Sequence, residues 1–167
     1  SSDVCSSDLK GIGGIAMFTA GFAETQEELG IELQERIVAM ATEAGMPIVG
    51  PNCMGIYNRR LGIRFGAGMM HADGGNIGVM SQSGSHAAGI TQEAQFAGLD
   101  VTRTISMGNA AILNEVDYLE YLERDPDSQF IAIYIEGPRD GRRFFEALRR
   151  VTKSKPVVVF KGGTTEH

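Results

Sequence analysis

The stretch of this sequence best suited to chemistry is Ser81-Gln82-Ser83-Gly84-Ser85, which joins an apolar run to a helical pattern. A helix that starts directly after a buried strand aims unpaired backbone N–H groups, and the positive end of its dipole, at one spot. Such a spot favours an anion, typically by about 0.3–1 kcal/mol. Ser83, Gly84 and Ser85 are therefore candidate phosphate ligands. The alternative, in which Ser83 or Ser85 only caps the helix, fits the pattern equally well.

The serine-rich loop lacks the marks of three better-known motifs. No Gly-Lys-Ser/Thr follows it, as a P-loop requires, and the three-glycine spacing of dinucleotide-binding loops is absent. The first glycine of the hydrolase nucleophile elbow is also missing before Ser83. Direct ATP or NAD binding and serine-hydrolase chemistry are therefore disfavoured.

A carboxylate, Glu136, closes the apolar run 130–135 and is followed by Gly137. A carboxylate at the end of a buried strand is costly unless it is paired or solvated, so its position predicts a polar partner. Arg139 is a nearby structural candidate, and a solvated strand end is another explanation.

The histidines and cysteines suggest little chemistry of their own. His86 follows the serine-rich loop, but a first-turn histidine more often packs or faces solvent than catalyses, and His71 is expected to be exposed. Cys53 lies in the turn Gly50-Pro51-Asn52-Cys53, where a small buried structural cysteine is favoured over a nucleophile. Cys5 receives no role, and no paired Cys/His spacing predicts a metal site.

The apolar periodicity divides the chain into a tail, two folded units and a connection. Residues 1–10 repeat Ser-Ser-Asp and are expected to be a disordered or foreign tail. Residues 11–58 predict an apolar strand leading to a loop at 20–22, a helix over 24–44 and a strand at 47–49. Residues 59–75 have no clean period and predict a linker.

From residue 76 to the end, apolar strands alternate with amphipathic helices. Four strands separated by three helices predict a flavodoxin-like, doubly wound parallel sheet with helices on both faces, in an α/β fold. Ligands of such sheets bind outside the carboxyl ends of the strands. The predicted strands are 76–81, 101–107, 129–136 and 156–160, and the predicted helices are 84–97, 113–123 and 140–153.

Composition limits the classes of partner. A chain of 167 residues with 43% hydrophobic content can form one domain plus part of another. The net charge of −6 disfavours a nucleic-acid surface. No apolar run approaches the roughly 20 residues of a membrane span, and no basic-then-apolar leader is evident. A cytoplasmic protein with neither nucleic-acid nor membrane partners is expected.

An ordered set of short motifs resembles the NDP-forming acyl-CoA synthetases and the succinyl-CoA synthetase alpha subunits. The likeness covers residues 11–166, and the order of the motifs is far more specific than any one of them. The set comprises Gly50-Pro51-Asn52-Cys53-Met54-Gly55, Gly75-Asn76-Ile77-Gly78, Ser81-Gln82-Ser83-Gly84, Met107-Gly108-Asn109, Asp117-Tyr118-Leu119-Glu120-Tyr121-Leu122, Asp125-Pro126, Ile135-Glu136-Gly137, Lys155-Pro156-Val157-Val158-Val159 and Lys161-Gly162-Gly163.

The resemblance implies that residues 11–58 are the C-terminal part of a Rossmann-like CoA-binding domain and that residues 76–167 form a succinyl-CoA ligase-like flavodoxin-type domain. It also implies that acyl-CoA and phosphate give an acyl phosphate, that a histidine takes the phosphoryl group, and that an ATP-grasp beta-type subunit or fused domain, with Mg, passes it to ADP or GDP. The other products are a small carboxylic acid and CoA. In that picture Ser83, Gly84 and Ser85 hold the phosphoryl group and Glu136 orients the histidine. The implied CoA and acyl contacts are Ala20, Gly21, Phe22, Asn52 and Cys53.

Two departures from the family pattern lead us to expect an inactive fragment. The phosphorylated histidine of the family lies beyond the segment matching Lys161-Gly162-Gly163, and His167 lacks its flanking sequence. The early strands and glycine-rich loop that hold the CoA phosphates would precede residue 11. A non-catalytic CoA-binding regulatory module, such as one fused to an acetyltransferase, is the alternative. A response-regulator or flavin domain is disfavoured because no acidic pocket or flavin-sandwiching aromatic loop is evident.

Overall fold

The computed structural model of the chain describes residues 11–163, so the predicted tail, with Cys5, and His167 lie outside the described residues. Seven strands and four α-helices follow one another along the described chain. In order they are β1 (Ile15–Ala16), α1 (Glu28–Glu43), β2 (Ile48–Val49), β3 (Gly55–Asn58), β4 (Ile77–Ser81), α2 (Gly84–Phe96), β5 (Val101–Ser106), α3 (Glu115–Arg124), β6 (Phe130–Ile135), α4 (Gly141–Val151) and β7 (Val157–Lys161).

The first unit is a small βαβ arrangement. β1 and β2 pair in parallel, with Ile15 opposite Ile48, and α1 connects them. The apolar side of α1 packs with Ile48 in a small core. α1 begins at Glu28 rather than at residue 24 as predicted. The reason is local: residues 23–25 form a 3₁₀ turn, and Gln26 takes a left-handed conformation with φ of 60°, which interrupts the helix.

The second unit is a five-stranded sheet in the order β3-β5-β4-β6-β7. The pairs β5-β4, β4-β6 and β6-β7 are parallel, and β3 runs antiparallel to β5 at the edge. Apolar side chains of α2 pack with those of β4 and β5 on one face. α3 and α4 cover a larger core on the other face. The predicted doubly wound α/β fold is confirmed.

The edge strand β3 was not predicted. The sequence division assigned residues 55–58 to the first unit and 59–75 to a linker, whereas in the structure residues 55–58 pair with residues 103–106 of β5. Tyr57 is fully buried, and Met69 of the presumed linker packs in the same cluster. A four-residue strand with one exposed apolar side chain, Ile56, is too short to show a period, and this is why the pattern missed it.

The described residues contain neither a membrane span nor a recognisable metal centre. No helix within residues 11–163 is long and apolar enough to cross a bilayer. In the same part of the chain, no three His, Cys, Asp or Glu side chains come together as potential metal ligands.

Candidate active site

The candidate site lies where the winding direction of the second sheet reverses. The chain leaves β4 for β5 on one side and then crosses to β6 on the other side of β4. Ligands of open α/β sheets bind in the crevice at such a switch point, outside the carboxyl ends of the strands. Ser81 at the end of β4 lies opposite Tyr134 of β6. The serine-rich loop and Glu136 therefore emerge from neighbouring strands at the same edge.

Ser83 is the N-cap of α2, so the capping alternative is realised. Its hydroxyl accepts a hydrogen bond from the backbone N–H of His86 at 3.4 Å and lies 3.1 Å from the hydroxyl of Ser85. Buried Ser81 donates to the carbonyl of Ser83 at 2.7 Å and fixes the loop. The N–H groups of Gly84 and Ser85, in the first turn, have no acceptor within the helix. Capping by Ser83 therefore leaves these two donors available to a ligand.

The start of α2 is electrostatically unlike those of the other described helices. α1 has Glu27 as its N-cap, α4 has Asp140, and α3 carries acidic residues in its first turn. Within residues 11–163, α2 is the α-helix with no carboxylate at either its cap or its first turn. The positive end of its dipole is therefore not neutralised by the helix itself, which favours an anion there.

Gln82 ties the ends of β4 and β6 together and was not among the predicted site residues. Its amide oxygen accepts the backbone N–H of Glu136 at 2.5 Å and that of Gly137 at 3.0 Å. Its amide nitrogen donates to the carbonyl of Gly137 at 2.8 Å. One side chain thus fixes the backbone that carries the Glu136 carboxylate. Its place between two serines after a buried strand was the available sequence signal.

Glu136 is exposed and has a tyrosine as its partner. The hydroxyl of Tyr134 donates to Glu136 Oε1 over 3.3 Å. Partial burial, and then the charge of Glu136, raise the pKa of Tyr134. Arg139, the structural partner considered from sequence, instead donates to the carbonyls of Ala110 at 2.8 Å and Ala111 at 3.1 Å. The carboxylate therefore faces the carboxyl edge of the sheet without a cationic side chain paired to it among residues 11–163.

The predicted CoA-side loops meet each other and the end of β5. The backbone N–H of Asn52, a residue with φ of 55°, donates to the carbonyl of Thr19 at 3.0 Å. Gly108, with φ of 57°, lies so close that an added Cβ would come within 2.7 Å of the carbonyl carbon of Asn52. Asn109 N–H donates to the carbonyl of Pro51 at 2.9 Å. The turn containing Asn52 therefore lies directly over the end of β5.

Asn109 is a second residue that the sequence interpretation did not select. Its amide nitrogen donates to the carboxylate of Glu24 and, at 2.9 Å, to the side-chain oxygen of Gln34. Its amide oxygen accepts from Asn52 at 3.3 Å. Partial burial opposes ionisation of Glu24, but the hydrogen bonds from Asn109 and from the backbone of the preceding loop outweigh it and lower the Glu24 pKa. Asn109 thus joins the first unit to the candidate site.

The five predicted CoA and acyl contacts separate into two groups. Ala20, Gly21 and Asn52 are exposed at the loop surface, whereas Phe22 and Cys53 are buried. The Cys53 thiol donates to the carbonyl of Met17 at 3.3 Å, and burial raises its pKa. The side chain of Cys53 is therefore directed toward the backbone carbonyls of Met17 and Val49 and not toward solvent.

Two histidines lie in the described part of the chain, and both are exposed. His71 lies beside Gly62, away from the serine-rich loop. His86 lies at the candidate site, where its ring stacks on Tyr134 with a centroid separation of 3.9 Å. The sequence placed His86 beside the serine-rich loop but gave no sign of its stacking on Tyr134 of β6.

Removing the Gln82 side chain is expected to loosen the Glu136 segment. Gln82→Ala deletes three hydrogen bonds to the backbone, each worth about 0.5–1.5 kcal/mol net, and partial solvation should limit the total loss of unfolding free energy to about 1–2 kcal/mol. Faster amide hydrogen exchange at Glu136 and Gly137, with denaturant unfolding, would measure it. Gln129→Ala, at an exposed glutamine, is the matched control and should change neither quantity. Unchanged exchange at residues 136 and 137 would contradict the role given to Gln82.

Comparison with known protein families agrees with this fold. The family model for the succinyl-CoA ligase like flavodoxin domain matches residues 74–167, more than half of the chain. The chain belongs to this family, and its resemblance to the NDP-forming acyl-CoA synthetases is confirmed.

Among individual relatives, the chain is 41% identical over 157 residues to the ADP-forming acetate–CoA ligase II subunit alpha of Pyrococcus furiosus, covering 94% of this chain and 34% of that protein. It is 33% identical over 158 residues to an ADP-forming 4-hydroxybutyrate–CoA ligase of Nitrosopumilus maritimus, covering 92% of this chain and 22% of that protein.

A solved structure of a related synthetase is also similar to this chain. The dinucleotide forming acetyl-coenzyme A synthetase 1 of Candidatus Korarchaeum cryptofilum, in complex with phosphate and ADP, superposes with a TM-score of 0.78 at 30% identity, covering 93% of this chain and 35% of that one. The chain thus spans about a third or less of the length of these relatives.

Proposed function

We propose that this chain is the alpha-type portion of an NDP-forming acyl-CoA synthetase, an acid–thiol ligase. The longer protein would interconvert acyl-CoA, phosphate and NDP with a carboxylic acid, CoA and NTP, through an acyl phosphate and a phosphohistidine. The observation that carries the proposal is that an unneutralised helix start and a carboxylate with no cationic partner among residues 11–163 share one edge of the sheet, at its switch point. Relatives named as ADP-forming CoA ligases support it.

In the proposed reaction the start of α2 holds the phosphoryl group. The N–H groups of Gly84 and Ser85 and the hydroxyl of Ser85 supply donors, and the helix dipole favours the negative charge. Ser83 fixes the first turn by capping it. A phosphate in the related synthetase of known structure is compatible with such a site in this family.

Glu136 would orient the histidine that carries the phosphoryl group. A carboxylate that accepts the N–H of an imidazole sets its tautomer and stabilises its positive charge during transfer. The Tyr134 hydroxyl occupies only one oxygen of Glu136, and Gln82 holds the backbone beneath it. We propose that the histidine is contributed from outside residues 11–163, in the segment that follows Lys161-Gly162-Gly163 in the family.

CoA would lie on the first unit, where its thiol supplies the group that accepts and releases the acyl chain. Exposed Ala20, Gly21 and Asn52 form a surface that could contact the pantetheine end, while buried Phe22 and Cys53 maintain the loops. Residues 11–35 contain no Lys or Arg, so cationic side chains for the CoA phosphates would come from outside this segment.

The proposal also includes a nucleotide-binding partner, a carboxylic acid substrate and a cellular location. An ATP-grasp beta-type subunit or fused domain would bind ADP or GDP, with Mg, and receive the phosphoryl group. The carboxylic acid would be small, and the protein would be cytoplasmic. A relative named as an alpha subunit supports a partner subunit, and relatives named as ADP-forming ligases support the use of ADP.

Phosphate titration of the isotopically labelled 167-residue chain tests the anion site. We expect the amide resonances of Gly84 and Ser85 to shift before any others, because their N–H groups face the ligand. The start of α4 is an internal control: Asp140 already caps it, so the amides of Gly141 and Arg142 should stay in place. Unmoved Gly84 and Ser85, with shifts at Gly141 and Arg142, would reject the proposed site.

A further inference from the structure

His86 is held in a fixed orientation although it is exposed. Its ring lies nearly parallel to that of Tyr134, with an interplanar angle of 9° and a centroid separation of 3.9 Å. Tyr134 also stacks with Phe160 at 5.6 Å. Gly162 makes room for this column, because an added Cβ would lie 2.8 Å from Tyr134 Cζ. The imidazole is therefore supported from β6 and β7 and cannot rotate freely.

This orientation places His86 Nδ1 3.0 Å from the hydroxyl oxygen of Ser83. The same oxygen already accepts the backbone N–H of His86. A serine hydroxyl has a single proton to donate, and each imidazole nitrogen either donates or accepts according to its protonation. The direction of the hydrogen bond between Nδ1 and Ser83 therefore decides where the hydroxyl proton can point.

Two states follow from this geometry. If Nδ1 has no proton, it accepts the Ser83 hydroxyl proton, and Ser83 cannot donate to a ligand. If Nδ1 carries a proton, it donates to Ser83, and the hydroxyl proton is free to point to Ser85 Oγ, 3.1 Å away, or to a ligand. Because an imidazolium carries protons on both nitrogens, protonation of His86 always selects the second state and adds a positive charge beside the helix start.

We propose that His86 is a positioning residue of the anion site, which on protonation turns the Ser83 hydroxyl toward a bound phosphoryl group. The inference rests on the proposed function, since it assumes that an anion binds at the start of α2. It adds a donor that the capping geometry of Ser83 alone does not provide, and it makes anion affinity depend on pH.

Titratable and charged groups face His86 from β6 and β7, in addition to the groups of its own helix. Facing it from the β6 side are Tyr134, whose pKa is raised, and the carboxylate of Glu136 beyond it. β7 contributes apolar Phe160 and, at its end, Lys161, whose ammonium donates to the carbonyl of Gly162 at 2.6 Å. Its own helix contributes neutral serines at the start.

Sulfate titrations at pH 5.5 and pH 8 test the proposal, because sulfate, unlike phosphate, keeps the same charge over this range. Sulfate binding to the 167-residue chain is monitored through the amide resonances of Gly84 and Ser85. We expect the affinity to be about tenfold higher at pH 5.5 than at pH 8, the scale of one hydrogen bond to a charged group. His86→Asn and His86→Gln can still hydrogen-bond but cannot become charged, so the change should fall to within about twofold. His71→Asn is the control and should keep the tenfold change.

The possible outcomes distinguish a failure of the anion site from a failure of the role of His86. If sulfate shifts neither Gly84 nor Ser85 at either pH, the anion site itself is wrong. If wild-type sulfate affinity is the same at both values, or if folded His86→Asn or His86→Gln retains the tenfold change, the role of His86 is wrong while the anion site stands. Comparing two variants guards against a fold defect in either one.

Discussion

Replacing Glu136 by glutamine in the longer protein is expected to slow histidine phosphorylation by about 10²-fold or more, the usual scale of acid–base assistance. The substitution keeps the shape of the side chain and removes its charge, so the amide cannot stabilise the positive imidazole during transfer. Glu136 is exposed and its backbone N–H is held by Gln82, so the fold should survive. The rate of phosphohistidine formation from acyl phosphate measures the effect.

Glu146→Gln provides the matched control for Glu136→Gln. Glu146 is also an exposed carboxylate, but it lies on α4, and its one ion-pair partner among residues 11–163 is Arg142 of the same helix. Its neutralisation should leave the phosphorylation rate within about twofold, because an exposed ion pair contributes little. A wild-type rate in Glu136→Gln would show that Glu136 is structural and would remove the proposed catalytic group.

The second large effect is expected at the Arg103–Asp125 ion pair inside the second unit. Arg103 Nε of β5 lies 2.7 Å from Asp125 Oδ2, and Arg103 Nη2 donates to Asp125 Oδ1 at 2.8 Å; each residue is only 7% exposed. Removing Asp125 leaves the buried Arg103 with a carboxylate partner, Asp127, whose side chain is 37% exposed and compensates the buried charge only weakly. Asp125→Ala should therefore lower the free energy of unfolding at pH 7 by about 3–5 kcal/mol.

Asp127→Ala is the control for this pair. Asp127 also contacts Arg103, at 2.8 Å, but its side chain is 37% exposed, so its loss should cost at most about 1 kcal/mol. Denaturant unfolding of both variants measures the difference. Equal losses for the two variants, or a loss below about 1 kcal/mol for Asp125→Ala, would contradict the assignment.

The same pair predicts a pH dependence of stability. Burial alone would raise the pKa of Asp125, but hydrogen bonds from Arg103 and Ser128 outweigh burial and lower it. The stabilisation is therefore fully present above the unfolded-state pKa of about 3.9 and is lost as the pH falls below it, through the folded-state pKa. Wild-type protein should lose stability in this acid range, and this part of the loss should be absent in Asp125→Ala.

The long periodic segments explain why most of the second unit could be predicted. β4 to β7 and the helices between them are apolar or amphipathic runs of five to thirteen residues, and each was predicted to within about two residues at most boundaries. β3 has four residues, and its place in the sheet depends on pairing with β5 forty-five residues or more away. The start of α1 depends on a left-handed Gln26, which no periodicity reveals.

The candidate site shows the same division between local and tertiary information. Ser83, Gly84, Ser85 and Glu136 could be selected because each follows a buried strand, and parallel strands bring their carboxyl ends to one edge. The supporting contacts join distant segments: Gln82 reaches Glu136, and Asn109 reaches Glu24. Such partners follow from the folded geometry and not from spacing.

The most direct test of the proposed function is to incubate the longer protein with acyl-CoA and radiolabelled phosphate and to identify the labelled residue. We expect an acid-labile, near-stoichiometric phosphohistidine beyond residue 163, which disappears on addition of ADP or GDP as NTP forms; the 167-residue chain alone should take no label. Absence of label from the longer protein, or label on His86, would contradict the proposed function.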